Sequence, residues 1–142
     1  SPPFLNMEKL RTATLPGISM HVSARALATF YHGVGSAQLL PADLVDNLVA
    51  QGNTTVNHTG VQWAAGFQLG SCLDSSGRRL TALGHGAGGG SVGLCVPECG
   101  VALAVTVSKL SASRVATGKI VDAMLGEFGL RHLPCAGLLK DA

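Results

Sequence analysis

A chain of 142 residues with 13% charged residues, 19 glycines and a formal net charge of +2 has the length of a single domain, one that would bury roughly 70% of its unfolded surface. Its basic residues are scattered rather than arrayed in a stripe along which a phosphate backbone could lie, so nucleic acid is not an expected partner. The longest uncharged apolar stretch, residues 100–108, falls well short of the roughly 20 residues that cross a bilayer, which excludes a transmembrane span.

The amino-terminal SPPFLNMEKLR has neither a basic start followed by an apolar block nor an initiating Met, so no signal peptide is expected and no compartment follows. It reads as a piece of something longer. Ser23 is placed to cap a helix over residues 23–32, with Ala24, Leu27, Ala28 and Tyr31 on one stripe and Gly33 and Gly35 ending it. Pro41 opens a second helix, whose buried face is Leu44, Val45, Leu48 and Val49 and which Gly52 stops. Residues 53–60 read as a polar loop. Residues 61–69 read as a strand bulged at Gly66, and residues 70–79 as a turn. Three more strands follow over residues 80–87, 91–96 and 101–108, joined by Gly89-Gly90 and by residues 97–100. Connections this short make an antiparallel meander. A last helix is expected over residues 112–128, with Val121, Met124, Leu125 and Phe128 inward.

Charge this sparse, against roughly 25% in soluble domains, leaves little surface to wet and points to a chain covered by an oligomer partner or by another part of its own domain. Cys72, Cys95, Cys99 and Cys135 have no disulfide-framework spacing, and Cys95 reads as a small hydrophobe in a strand. A metal site built from His132, Cys135, Cys95 and Cys99 lacks a paired C-x-x-C, so no metal is expected. Asn53 and Asn57 begin N-x-T sequons that read more simply as polar loop.

Gly89-Gly90-Ser91-Val92-Gly93 matches G-x-S-x-G, and Asp122 and His132 follow in the chain order of an α/β-hydrolase triad. That elbow needs a helix directly after the serine, and here more strand follows. Gly84, Gly86 and Gly89 match G-x-G-x-x-G, as do Gly88, Gly90 and Gly93, but neither match opens a helix, so no dinucleotide or other cofactor is expected. His85 stands apart. Glycines around it, read as lying on an edge strand, would let a ligand approach closely and leave N–H groups free to donate, so His85 is expected to face an open groove.

The segments GHGAGGGSVGLCVPECGVALAVTVSKL and LPGISMHVSARALATFY resemble serine hydrolases of the β-lactamase and penicillin-binding-protein type, especially class C β-lactamases and their esterase relatives. The resemblance covers nearly the whole chain. It implies an α+β fold, an antiparallel β-sheet flanked by helices, forming the C-terminal portion of the β-lactamase/transpeptidase-like fold: residues 1–60 a helical-lobe remnant, 61–108 the sheet, 109–142 the terminal helix and tail. It places His85 at the first position of the family's third motif, lining the site. Gly86 and Ala87 stand where Thr and Gly are usual, beside the substrate. Gly88 falls where a backbone N–H donates to the oxyanion. The family's nucleophile is the Ser of Ser-x-x-Lys, aided by a Tyr motif; no Ser here has Lys three residues later, and Tyr31 lies in no such motif. The implied function is therefore part of a hydrolase of an ester, amide or lactam, inactive by itself. Its partners would be the preceding remainder of the same domain and a small-molecule or peptide acyl substrate. A non-catalytic interaction or structural module derived from the same fold is the alternative.

Overall fold

A computed structural model describes residues 7–15, 17, 20–51, 55–56, 62–111 and 113–133. Three helices come first: α1 (Glu8–Thr12), α2 (Ala24–Gly35) and α3 (Ala42–Gln51). Six strands follow, β1 (Thr55–Val56), β2 (Gln62–Ala64), β3 (Phe67–Leu73), β4 (Arg79–Gly86), β5 (Val92–Val96) and β6 (Val101–Val105), then α4 (Val115–Glu127) and β7 (Arg131–Leu133). The strands form one antiparallel sheet in the order β1-β2-β3-β4-β5-β6, with β7 on β3. Its path is the meander that the short connections require.

The period of two along each strand sorts side chains onto two cores. Leu80 and Ala82 of β4, Leu94 of β5 and Leu103 of β6 pack with Val121 and Leu125 of α4. Leu69, Leu83 and Cys95 point to the other face, beneath Tyr31 and Val34 of α2 and Leu48 of α3. Each fully buried aliphatic side chain contributes roughly 1.5–3 kcal/mol by leaving water, so both faces have to be covered for the sheet to persist. Helices on the two faces of an antiparallel sheet make the fold α+β.

Local chemistry sets the element ends. The Ser23 hydroxyl accepts from the Ala26 N–H at 3.2 Å and caps α2, as expected. Thr81 holds α3 to the sheet by donating from its hydroxyl to the Val49 carbonyl at 3.3 Å. Its own N–H donates to Glu98 Oε2 at 2.6 Å, so the carboxylate stands in for a strand where β5 has turned away through the 3₁₀ turn Pro97–Cys99.

Four expectations are corrected. Residues 61–69 are not one bulged strand: Ala65 (φ 46°) and Gly66 (φ 87°) form a tight turn between β2 and β3, and positive φ at both central residues is what a two-residue hairpin demands. Gly70 to Leu73 continue β3, and the turn is confined to Asp74–Arg78, where Asp74 Oδ1 accepts from the Ser76 and Arg78 amides, both at 2.9 Å. The expected loop over residues 53–60 contains β1; the rest of that segment lies outside the described residues. Finally, β4 is not an edge strand, since β3 and β5 pair with it on either side.

Candidate functional site

The end of β4 carries the candidate residues. His85 opposes Gly93 of β5 and shares the face covered by α2. Beyond Gly86 the chain reverses: the Ala87 N–H donates to the Ser91 carbonyl at 2.8 Å and the Gly90 N–H to the Ala87 carbonyl at 3.1 Å. Gly90, at φ +101°, supplies the left-handed residue that closes this turn. Thr117 of α4 donates to the Gly90 carbonyl at 2.6 Å from a buried position, which fixes the hairpin to the helix below.

The Gly86 peptide is clamped from both sides. Its N–H donates to the buried Gln68 Oε1 at 2.7 Å, and its carbonyl accepts from Arg114 Nη2 at 3.4 Å. Both backbone groups of Gly86 therefore already have a partner within the protein. The clamp sets the direction of the residue before it, and His85 projects into an open groove of about 800 Å³. On the sheet side Ala87, Ser91 and Thr106 continue its wall; on the other, Met20, His21 and Val22 lead into Leu27 and Tyr31 of α2. Gly88 is exposed at the tip of the hairpin, and its N–H donates to no carbonyl among the described residues. It does not line the groove itself.

His85 is exposed toward the groove, and the Trp63 ring stands behind it with centroids 5.7 Å apart. Partial burial, and then the Arg114 guanidinium, hold its pKa below the ordinary histidine value, so the imidazole is neutral at neutral pH, with one nitrogen to donate and one to accept. Tyr31 is buried; burial, then neighbouring Cys95, pushes its phenol up to about 12, so it stays protonated and serves as no base. The two serines among the described groove residues are engaged with backbone amides: Ser23 caps α2, and Ser91 Oγ accepts from the Val107 N–H at 3.1 Å. Ser91 precedes a strand and not a helix, so no nucleophile elbow is formed.

The structure thus brings His85 and Ala87 to one groove, leaves Gly88 at its rim and turns Gly86 inward. It adds Tyr31, His21 and Thr106 to the groove and sets Trp63 against His85, none of which sequence reasoning placed there. Only the Met20-His21-Val22 run ahead of the cap at Ser23 carried a signal, an apolar stretch with nothing helical to bury it. Cys95 lies buried against Gly35 and Cys99 is exposed, while Cys135 lies outside the described residues. Among the described residues no cluster of three His, Cys, Asp or Glu could hold a metal, and no helix is long and apolar enough to cross a membrane. Comparison with protein-family models, with curated proteins and with solved structures finds no match to this chain.

Proposed function

We propose that this chain is the sheet side of the active site of a serine acyl hydrolase of the β-lactamase and penicillin-binding-protein type. The observation that carries the reading is His85, held by a clamped peptide at the end of a central strand and facing an open groove between the sheet and the lead-in to α2. In the proposed reaction a serine from the preceding part of the domain attacks the carbonyl carbon of an ester, amide or lactam. The leaving group departs with a proton from the base beside that serine, and water then releases the acyl group. In this reading His85 lines the site, and the Gly88 N–H, which lies outside the groove lining, would reach the oxyanion only with the hairpin tip turned toward a site completed by the preceding part of the domain.

A second reading, a non-catalytic interaction or structural module, is favoured by Ser23 and Ser91, the groove serines among the described residues, whose hydroxyl oxygens already accept from backbone amides. One experiment separates the two. A serine-directed phosphonate probe should leave the 142-residue chain unlabelled, and should label it once it is joined to a preceding segment carrying Ser-x-x-Lys. His85→Ala should then slow labelling by roughly 10²-fold, the lower end of what a positioned acid or base contributes. Absence of labelling in the joined protein supports the non-catalytic module. Stoichiometric labelling of the chain alone, abolished by Ser91→Ala, overturns both.

A further inference from the structure

Strand β6 is built like the inside of a sheet. Leu103 is 1% exposed and Ala104 and Val105 8% each, with α2 over one face of the strand and α4 over the other. Burial on both faces goes with the unbroken apolar run VALAV. Yet among the described residues only β5 pairs with it. The hydrogen-bond alternation fixes which backbone groups are left over. The Ala87 N–H donates to the Ser91 carbonyl, so Gly93 and Cys95 turn their backbone groups to β4, while Val92, Leu94 and Val96 turn theirs to β6. Val105, Leu103 and Val101 answer those three, which directs the N–H and C=O of Ala102 and Ala104 outward.

That outward edge is self-complementary. Val101-Ala102-Leu103-Ala104-Val105 reads the same in both directions, and the strands of an antiparallel pair run in opposite directions. We propose that β6 is the dimer strand of this protein, two copies pairing about a two-fold axis beside Leu103 so that their sheets become one. In that register Ala102 opposes the partner's Ala104, each such pair exchanges two N–H···O=C bonds, and Leu103 meets the partner's Leu103 as the close pair between them. Side chains of equal size then face each other along the seam, alanines on the α2 face and branched residues on the α4 face. One step further the same register sets the partner's Gly100 opposite Thr106, a residue of the His85 groove. Each groove is thus bordered by the turn that follows β5 in the other copy. The inference stands apart from the acyl-hydrolase reading and needs no nucleophile.

Sedimentation velocity of the 142-residue chain should show a monomer–dimer equilibrium between about 10 µM and about 1 mM, the range open to a small interface. Ala104→Pro removes one outward N–H from each copy and no bond to β5, at a position where an edge strand tolerates proline. It should weaken the dimer at least about tenfold and leave the circular dichroism of the monomer unchanged. A second measurement reads the register without proline. In a Cys99→Ser, Cys135→Ser background, Ala102→Cys and Ala104→Cys chains should form an interchain disulfide when mixed under mild oxidation, and neither should do so by itself. A monomer at every concentration overturns the inference, as does a dimer that a folded Ala104→Pro chain retains. So does a mixture that forms no disulfide, or a disulfide in either single variant. A chain that dimerises alone but is monomeric once joined to a preceding segment gives the edge to that segment, and likewise overturns the inference.

Discussion

His85 shows how much one side chain depends on its neighbours. In an unfolded chain a histidine titrates at about 6.5; in the fold, partial burial and Arg114 lower that value. Between the two values the unfolded chain binds more protons than the folded one. The contribution to stability is therefore complete above about pH 6.5 and is lost as pH falls through the lowered folded value. His85→Gln should flatten the decline in thermal midpoint from about pH 7 to about pH 5, and Arg114→Gln should raise the pH at which the His85 ring resonances titrate. Ring resonances that titrate at or above the ordinary histidine value would contradict the placement of Trp63 and Arg114 around it. That His85 is unusual was legible, because a lone imidazole in a glycine run has few structural uses. Its partners were not, because Trp63 reaches it only through the turn at Ala65-Gly66, which lacks the Asn-Gly or Asp-Gly that marks such turns.

At the scale of elements the glycines change meaning. Read along the sequence, the run from Gly84 onward looks like the wall of a binding groove, yet two of its members are packing devices. A Cβ on Gly93 would collide with the Tyr31 ring and come within 2.9 Å of Leu27 Cγ, so the absent side chain is what seats α2 on β5. A Cβ on Gly84 would strike the Gly93 carbonyl and lie 2.7 Å from Leu94 Cβ. Gly88 meets nothing. Overpacking of this kind typically costs about 1–3 kcal/mol, so Gly93→Ala should lose about 2–3 kcal/mol in urea denaturation while Gly88→Ala stays within about 0.5 kcal/mol. A neutral Gly93→Ala would mean that α2 is not seated as described. Helices α2, α3 and α4 were legible from their apolar stripes, although Phe128, expected inward on α4, is exposed; α1, five residues with none buried, was not. The second half of β3 was not either, because Gly70 and Ser71 have turn composition while their burial is set by β4 and, from Ser71 onward, by β7 on the other side.

Over the whole molecule the expected arrangement is present in its coarse form, a meander with helices against it, because hydrophobic periodicity and short connections constrain topology strongly. What periodicity could not reveal is which strands stand inside. Position within a sheet is settled by long-range pairing, as when His132 of β7 returns to Cys72 of β3 across most of the sheet's sequence. The sparse charge has its counterpart in side chains left in water: Met20 is 69% exposed, Phe128 59% and Leu39 56%. They are spread over separate elements, so no one of them defines a partner surface.

The far side of the sheet from β7 has a different character. Among the described residues β6 pairs with β5 alone, and its sequence VALAV contains neither a charge nor a proline to discourage another strand. In an antiparallel ladder every second amide of such a strand points away from its neighbour. Hydrogen–deuterium exchange should therefore be uniformly slow along Val92–Val96 and alternate between slow and fast along Val101–Val105. If the fast set becomes protected as protein concentration is raised, two copies are annealing edge to edge, and a single Lys introduced on that strand's open side should return the exchange to its dilute pattern.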